Sequence, residues 1–254
     1  MNILFSIITV CLNDKQGVAD TGRSIARQSC ADYEWLVIDG GSSDGTAEYL
    51  SQLNDDRLRW LSQPDDGLYD AMNKGIELAS GEYLLFLNAG DRLADNSTLQ
   101  ALSEMIVDAG RADFIYGDAQ ELTQGGQLLV KKARSHKHIW YGMFTHHQAM
   151  LYKRSAIGEI RYRLEYPIGA DYAFTAEVLK ASRSIARIDR AVCIFQQGGL
   201  SSRTVAQGAD DQWRIRRDVL GIPYPGRLVI RVIHGVAHVM KTRLPVIYKR
   251  LRFS

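Results

Sequence analysis

Asn13, Asp39, Gly40, Asn88, Gly90 and Asp91 stand at the ends of three apolar runs, SIITVCLN (6–13), WLVIDGG (35–41) and EYLLFLNAGD (82–91). Short apolar runs that alternate with helical stretches predict buried parallel strands. The carboxyl ends of neighbouring strands in such a sheet open onto one crevice, where ligands bind. Carboxylates and amides beside glycine-rich turns there suit a phosphate-bearing ligand with a divalent cation.

Each motif has a chemical and a plainer structural reading. In VIDGGSSDGT (37–46) Asp39 can accept hydrogen bonds from a base or sugar and the turn can hold an anion, or the segment is a tight turn with capping residues. QPDDGLYDAMNKGI (63–76) crowds Asp65, Asp66 and Asp70 at a helix start, with Asn73 and Lys74 one turn in; these are ligand contacts or partners of the helix dipole. LNAGD (87–91) offers Asp91 as a carboxylate and Asn88 as a neutral carbonyl to a hard cation and a pyrophosphate, or forms an Asx-type turn. GADYAF (169–174) places Asp171 at a helix start, as a base ionised beside a hydroxyl or as a cap. His146 and His147 follow an aromatic run and are structural or a divalent-ion and phosphate contact.

Positioning these residues takes an α/β array. Strands are expected over 4–11, 35–39, 58–61, 83–87 and 114–116, with helices near 18–29, 46–54, 68–79 and 98–109. TQGGQ (123–127) predicts a hairpin turn, the segment 166–181 turns into a helix after Asp171, and AVCIF (191–195) predicts a strand. The rhythm changes near residue 120, so the expected organisation is a first half over 1–120, which carries the strand-end residues, a second half over 121–210 that closes over it, and a basic amphipathic tail over 211–254.

The 31 basic and 29 acidic residues are unevenly spread. Residues 213–254 hold ten Lys/Arg and one acid, Asp218, leaving 21 bases against 28 acids elsewhere. An acidic body with a basic tail argues against nucleic acid and for an anionic surface met by the tail alone. In that tail Arg227, Arg231, His234, His238 and Lys241 share one helical stripe, with aliphatic residues covering the rest and IYKRLRF (247–253) adding bases and aromatics. This predicts an interfacial helix on an anionic inner-membrane surface, or else a core-packing or dimerising helix. Cys11, Cys30 and Cys193 have no CxxC spacing and read as free thiols of a reducing compartment. With no leader visible and no spanning apolar stretch, the expectation is a cytoplasmic protein, peripheral at the inner face of the plasma membrane.

Together these segments resemble the inverting family 2 glycosyltransferases of GT-A fold, and most of all the colanic-acid and exopolysaccharide branch, over roughly residues 4–203. SIITVCLN resembles the opening strand whose end meets the nucleotide, which implies donor contacts at Thr9, Val10 and Asn13. VIDGGSSDGT is similar to VDDGSTDGT, which makes Asp39 the base-binding carboxylate. GLYDAMNKGI with GEYLLFLNAGD matches the branch and implies that Asp66, Asn73, Asn88 and Asp91 bind donor. HHQAMLYKR and GADYAF fall where the family has its HQ segment and its base. His147 and Gln148 are then acceptor or phosphate contacts, Asp171 the catalytic base, and Asp91 with His147 the ligands of Mg²⁺ or Mn²⁺. QQGGLSSR (196–203) is similar to the late GGxS stretch. Departures are Asn88-Ala89-Gly90-Asp91 in place of DxDD, Ala170 before the base, and Met72 where many relatives carry Arg.

The implied activity is inverting hexosyl transfer from a nucleotide-sugar donor to a saccharide acceptor, carried on a polyprenyl diphosphate, in bacterial surface polysaccharide synthesis. The alternative is a non-catalytic nucleotide-sugar or glycan-binding module of the same fold. A sugar-1-phosphate nucleotidyltransferase is set aside because CLNDKQG replaces its glycine-rich loop, and an oxidoreductase because no GxGxxG follows the first strand.

Overall fold

The computed structural model describes residues 3–123, 125–196 and 205–243. One sheet organises them. Strands β1 (Phe5–Cys11), β2 (Tyr33–Asp39), β3 (Leu58–Ser62) and β4 (Tyr83–Phe86) lie parallel in the order β3-β2-β1-β4. The sheet continues through β8 (Met150–Lys153), β6 (Phe114–Leu122), β9 (Ile185–Gln196) and β5 (Arg92–Leu93), with β7 (Leu128–Lys131) paired to β6. β8 runs antiparallel between β4 and β6, and β5 antiparallel to β9.

Period-two alternation along the strands builds a core on each face. Ile8, Val10, Leu36, Ile38, Leu84 and Phe86 point to one side, toward α3 (Leu68–Leu78), α6 (Ala170–Ala181) and α7 (Val205–Asp218). Ile7, Val37, Leu85 and Ile115 point to the other, toward α1 (Lys15–Ala26) and α4 (Thr98–Asp108). α2 (Thr46–Ser51) and α5 (Arg154–Ile157) are short connectors. Gly75 lets α3 press onto β1, since a Cβ there would lie 2.5 Å from Ile8 Cγ2.

The expected strands of the first half all form, four of them within a residue or two at their ends, while the one expected at 114–116 is the start of β6, which runs on to Leu122. The 123–127 turn joins β6 to β7 through Thr123 N–H to Gln127 O (2.9 Å). Other boundaries also differ. α1 begins three residues earlier than expected because the Asp14 carboxylate accepts from Gly17 N–H at 2.9 Å and caps it. α6 starts at Ala170, so Asp171 lies inside its first turn rather than ahead of it. The strand expected at 191–195 is the last part of a 12-residue β9, which pairs with β6 with a register shift at Gly117 and Asp118. β8, within HHQAMLYKR, was not expected, and it ties residues before and after position 120 into one sheet.

The tail helix α8 (Tyr224–Arg243) forms, but the other way round from the interfacial reading. Two members of its basic stripe face the body: the Arg227 guanidinium lies 4.5 Å over the Trp213 ring and His234 Nε2 is 3.1 Å from Tyr141 O, while Arg231, 5.6 Å from the same ring, is exposed. The side chains of His238 and Lys241, and residues 244–254, lie outside the described residues. No described helix is long and apolar enough to cross a membrane. All three cysteines are free, with Cys11 and Cys193 buried.

Candidate functional site

A cleft of about 260 Å³ opens beside the end of β4, between α3 and the start of α6. Asn88, His147, Gln148 and Asp171 line it, together with Tyr69, Met72, Lys131, His146, Ile168 and Phe195. Four residues expected from sequence thus meet at one place, although up to 83 positions separate them.

Asp171 is delivered by the first turn of α6. The approach to that turn is pinned by Asp211 of α7, whose Oδ2 accepts from Ile168 N–H (2.9 Å) and Gly169 N–H (3.0 Å). Burial pushes the Asp171 carboxyl up to about 6; the Tyr172 N–H, 2.7 Å from Oδ1, and the neighbouring Tyr69 hydroxyl pull it part of the way back. Such a group is a carboxylate at neutral pH, yet basic enough to take a proton from a hydroxyl.

The LNAGD segment forms a tight turn, Asp91 N–H to Asn88 O at 2.9 Å, with Gly90 at φ +88° in the position that needs a left-handed residue. Asp91 is only 4% exposed. Its Oδ1 accepts from Gln196 N–H (3.0 Å) and its Oδ2 from Gln148 Nε2 (2.9 Å). Burial still dominates and lifts its carboxyl to about 7. Asn88 Oδ1 is buried and finds no donor among the described residues. An orphaned carbonyl beside a carboxylate is a fitting oxygen pair for Mg²⁺ or Mn²⁺, which complete their shells with water and substrate phosphate.

His147 does not fit that set. Its Nε2 lies 2.7 Å from the Tyr162 hydroxyl, its ring packs on Phe86 at 5.0 Å, and burial drives its pKa down to about 3. Among the described residues no group of three His, Cys, Asp or Glu side chains could hold a metal. His147 is a neutral wall of the cleft, and Gln148 is the clamp on Asp91.

The other expected donor contacts lie at the ends of β1, β2 and β3, along the same edge of the sheet. Asp39 is fully buried, and its oxygens accept from the hydroxyls of Ser42 and Ser62 and from Ser42 N–H. Burial raises its pKa, but these donors more than offset it and hold it below the usual carboxylate range. Asn13, at φ +52°, locks the same loop through Oδ1 to Ser43 N–H (2.9 Å). Asp66 is exposed and is not among the residues lining the cleft. Three residues do not reach the crevice. Thr9 is buried and accepts from Trp35 Nε1 (2.9 Å), Val10 is core, and Asn73 spends its amide on the Tyr162 backbone (2.8 and 2.9 Å). Lys74 pairs with Asp70 at 2.9 Å, away from any phosphate role.

Sequence reasoning missed the floor of the cleft. Tyr162 stacks between Tyr69 (5.6 Å) and Phe174 (4.2 Å) while bonding His147. It also missed Phe195, whose ring stacks on His146 at 4.3 Å. The aromatic density of 136–174 was the signal for Tyr162, and Phe195 stood in view only as the end of the apolar run AVCIF. Of QQGGLSSR, residues 197–203 lie outside the described residues.

The family model "Glycosyl transferase family 2" matches residues 6–161. A Mycobacterium bovis protein named PGL/p-HBAD biosynthesis glycosyltransferase is 32% identical over 240 residues, 91% of this chain and 88% of that one. Staphylococcus aureus TarS, solved in complex with UDP-GlcNAc, superposes with a TM-score of 0.71 at 16% identity, over 94% of this chain and 74% of that one. A Pyrobaculum calidifontis mannosyltransferase solved with GDP-Man and Mn²⁺ gives 0.63 at 16% identity, over 95% and 72%. These two likenesses establish the fold, and the expected GT-A architecture is the one observed. The colanic-acid branch finds no support in these relatives, the first of which is named for a different product.

Proposed function

This chain belongs to glycosyl transferase family 2, and on that premise we propose that it moves a hexose from a nucleotide-sugar donor to a hydroxyl of a saccharide acceptor, with inversion. Residues 1–120 carry the donor and 121–210 the acceptor and the base. The observation that carries this reading is Asp171, a carboxylate poised at about 6 on the wall of a cleft that Asn88 also lines, its buried Oδ1 without a donor among the described residues.

Asp171 takes the proton of the acceptor hydroxyl while that oxygen attacks the anomeric carbon. The bond to the diphosphate breaks, and the nucleoside diphosphate leaves without a covalent intermediate. Asn88 and Asp91 would hold Mg²⁺ or Mn²⁺, which when bound neutralises charge growing on the leaving diphosphate. Asn13, Asp39 and Asp66 border the nucleoside, Asp39 acting by fixing the Ser42 turn rather than by an open carboxylate. His147 and Gln148 shape the floor under the transferred sugar. The relative's biosynthetic name supports a cell-surface glycan product; a lipid-linked acceptor would place the enzyme at the cytoplasmic face of the membrane.

The reading is tested by incubating the protein with UDP-, GDP-, CDP- and dTDP-hexoses, Mn²⁺ and a bacterial lipid extract. We expect one nucleoside diphosphate to be released, several-fold faster with the extract than without. Donor binding with no release under any condition would instead identify a non-catalytic module.

A further inference from the structure

α8 turns Arg227 and His234 inward and its aliphatic residues outward, with Arg231 exposed at their edge. Leu228, Val229, Val232, Ile233 and Val236 are 42–60% exposed and fall within one arc of the helix, while Arg227, Ile230 and His234 pack on the body. This inversion has a local cause. The Trp213 ring of α7 and the Tyr141 carbonyl offer partners that a guanidinium and an imidazole satisfy better than a valine would. An aliphatic stripe of this length, uninterrupted by a charge, is unusual on a water-facing surface.

We propose that this outward face of α8 docks into the interfacial layer of an anionic lipid bilayer. Two observations favour lipid over protein. The five residues of the arc are all aliphatic, with Tyr224 and Arg231 only at its edge, whereas the centre of a protein interface carries aromatic and arginine anchors. The chain from Val219 to Ser254 contains no acid, and Lys241, Arg243, Lys249, Arg250 and Arg252 follow the stripe in sequence, so its charge complements phosphate headgroups. A second copy docking through the same face would bring two acid-free basic segments together. The contact is the reverse of a basic-stripe contact: the apolar arc inserts, with the exposed Arg231 at its edge at headgroup level. The proposal deepens the membrane placement suggested above and rests on that reading only for where the acceptor lies.

The test is co-sedimentation of the full chain with phosphatidylcholine vesicles, with and without phosphatidylglycerol. Wild type should bind anionic vesicles. Val232→Glu with Val236→Glu should weaken binding by at least about tenfold, with the melting temperature and nucleoside diphosphate binding unchanged. Val107→Glu, on an exposed site of α4, should bind as wild type does. Failure of wild type to bind, or unchanged binding by the double variant, overturns the proposal. A wild-type dimer that the double variant converts to monomer, with no vesicle binding, overturns it in favour of a second copy. Loss of vesicle binding alone leaves the transferase reading standing, and loss of donor turnover with intact vesicle binding does the reverse.

Discussion

Asp171→Asn should lower sugar transfer by about 10²- to 10⁴-fold, the usual contribution of a positioned general base. Asparagine keeps the shape and the Tyr172 N–H contact but cannot accept a proton. The same assignment fixes a pH profile. The Asp171 carboxyl, raised by burial to about 6, is protonated and inactive below that pH, so wild-type activity should climb through an acid limb near pH 6. The residual rate of Asp171→Asn should lack that limb. Donor binding should survive, because the proposed role of Asp171 is toward the acceptor hydroxyl and not the nucleotide. A variant with near-wild-type turnover, or one retaining the acid limb, would remove Asp171 from the chemistry.

Asp91→Asn should stabilise the ligand-free protein at pH 8 and hardly affect it at pH 4. Burial lifts Asp91 to about 7 in the folded chain, against about 3.9 unfolded. Between those values the folded state holds a proton that the unfolded state has lost, so stability falls as pH rises through this window and levels off above it. At about 1.4 kcal/mol per tenfold difference in proton affinity, the ionised carboxylate costs on the order of 4 kcal/mol at pH 8. Asparagine avoids that cost, and the gap between the two melting curves should open from pH 4 to pH 8. Mn²⁺ with the correct nucleoside diphosphate should narrow the gap by stabilising wild type alone. A gap independent of pH would mean that Gln148 and Gln196 hold Asp91 ionised. Burial alone raises this carboxyl; the Gln148 and Gln196 donors work against it and favour the ionised form that a cation needs.

Local signals carried much of this site. The apolar runs ending at Asp39 and Asn88 became parallel strands because burial on both faces leaves no polar position to interrupt them. The helix start at Asp171 was visible in a glycine followed by an acid, but base and cap read alike there, and only the family resemblance singled out the base. What stayed hidden depends on distant partners. Asn73 sits in a motif that resembles a donor contact, yet its amide is consumed by the Tyr162 backbone 89 residues away. Thr9 lies one residue from the strand face that would reach the crevice, and Trp35 claims its hydroxyl instead. His147 reads as a ligand by type, but Phe86 and Tyr162 enclose it. In α8 the periodicity sorted basic from aliphatic residues correctly. It could not say which face turns inward, and that was decided by Trp213 and Tyr141 on other elements.

The most direct measurement is a thermal titration of the protein with UDP, GDP, CDP and dTDP, each with Mn²⁺, Mg²⁺ or EDTA, on wild type and Asp91→Ala. A ligand that binds only the folded state raises the melting temperature with its concentration. The account predicts that one nucleoside diphosphate does so only with metal, and that Asp91→Ala loses the effect. No shift with any of the four would contradict the donor site and, with it, the transferase assignment of this cleft.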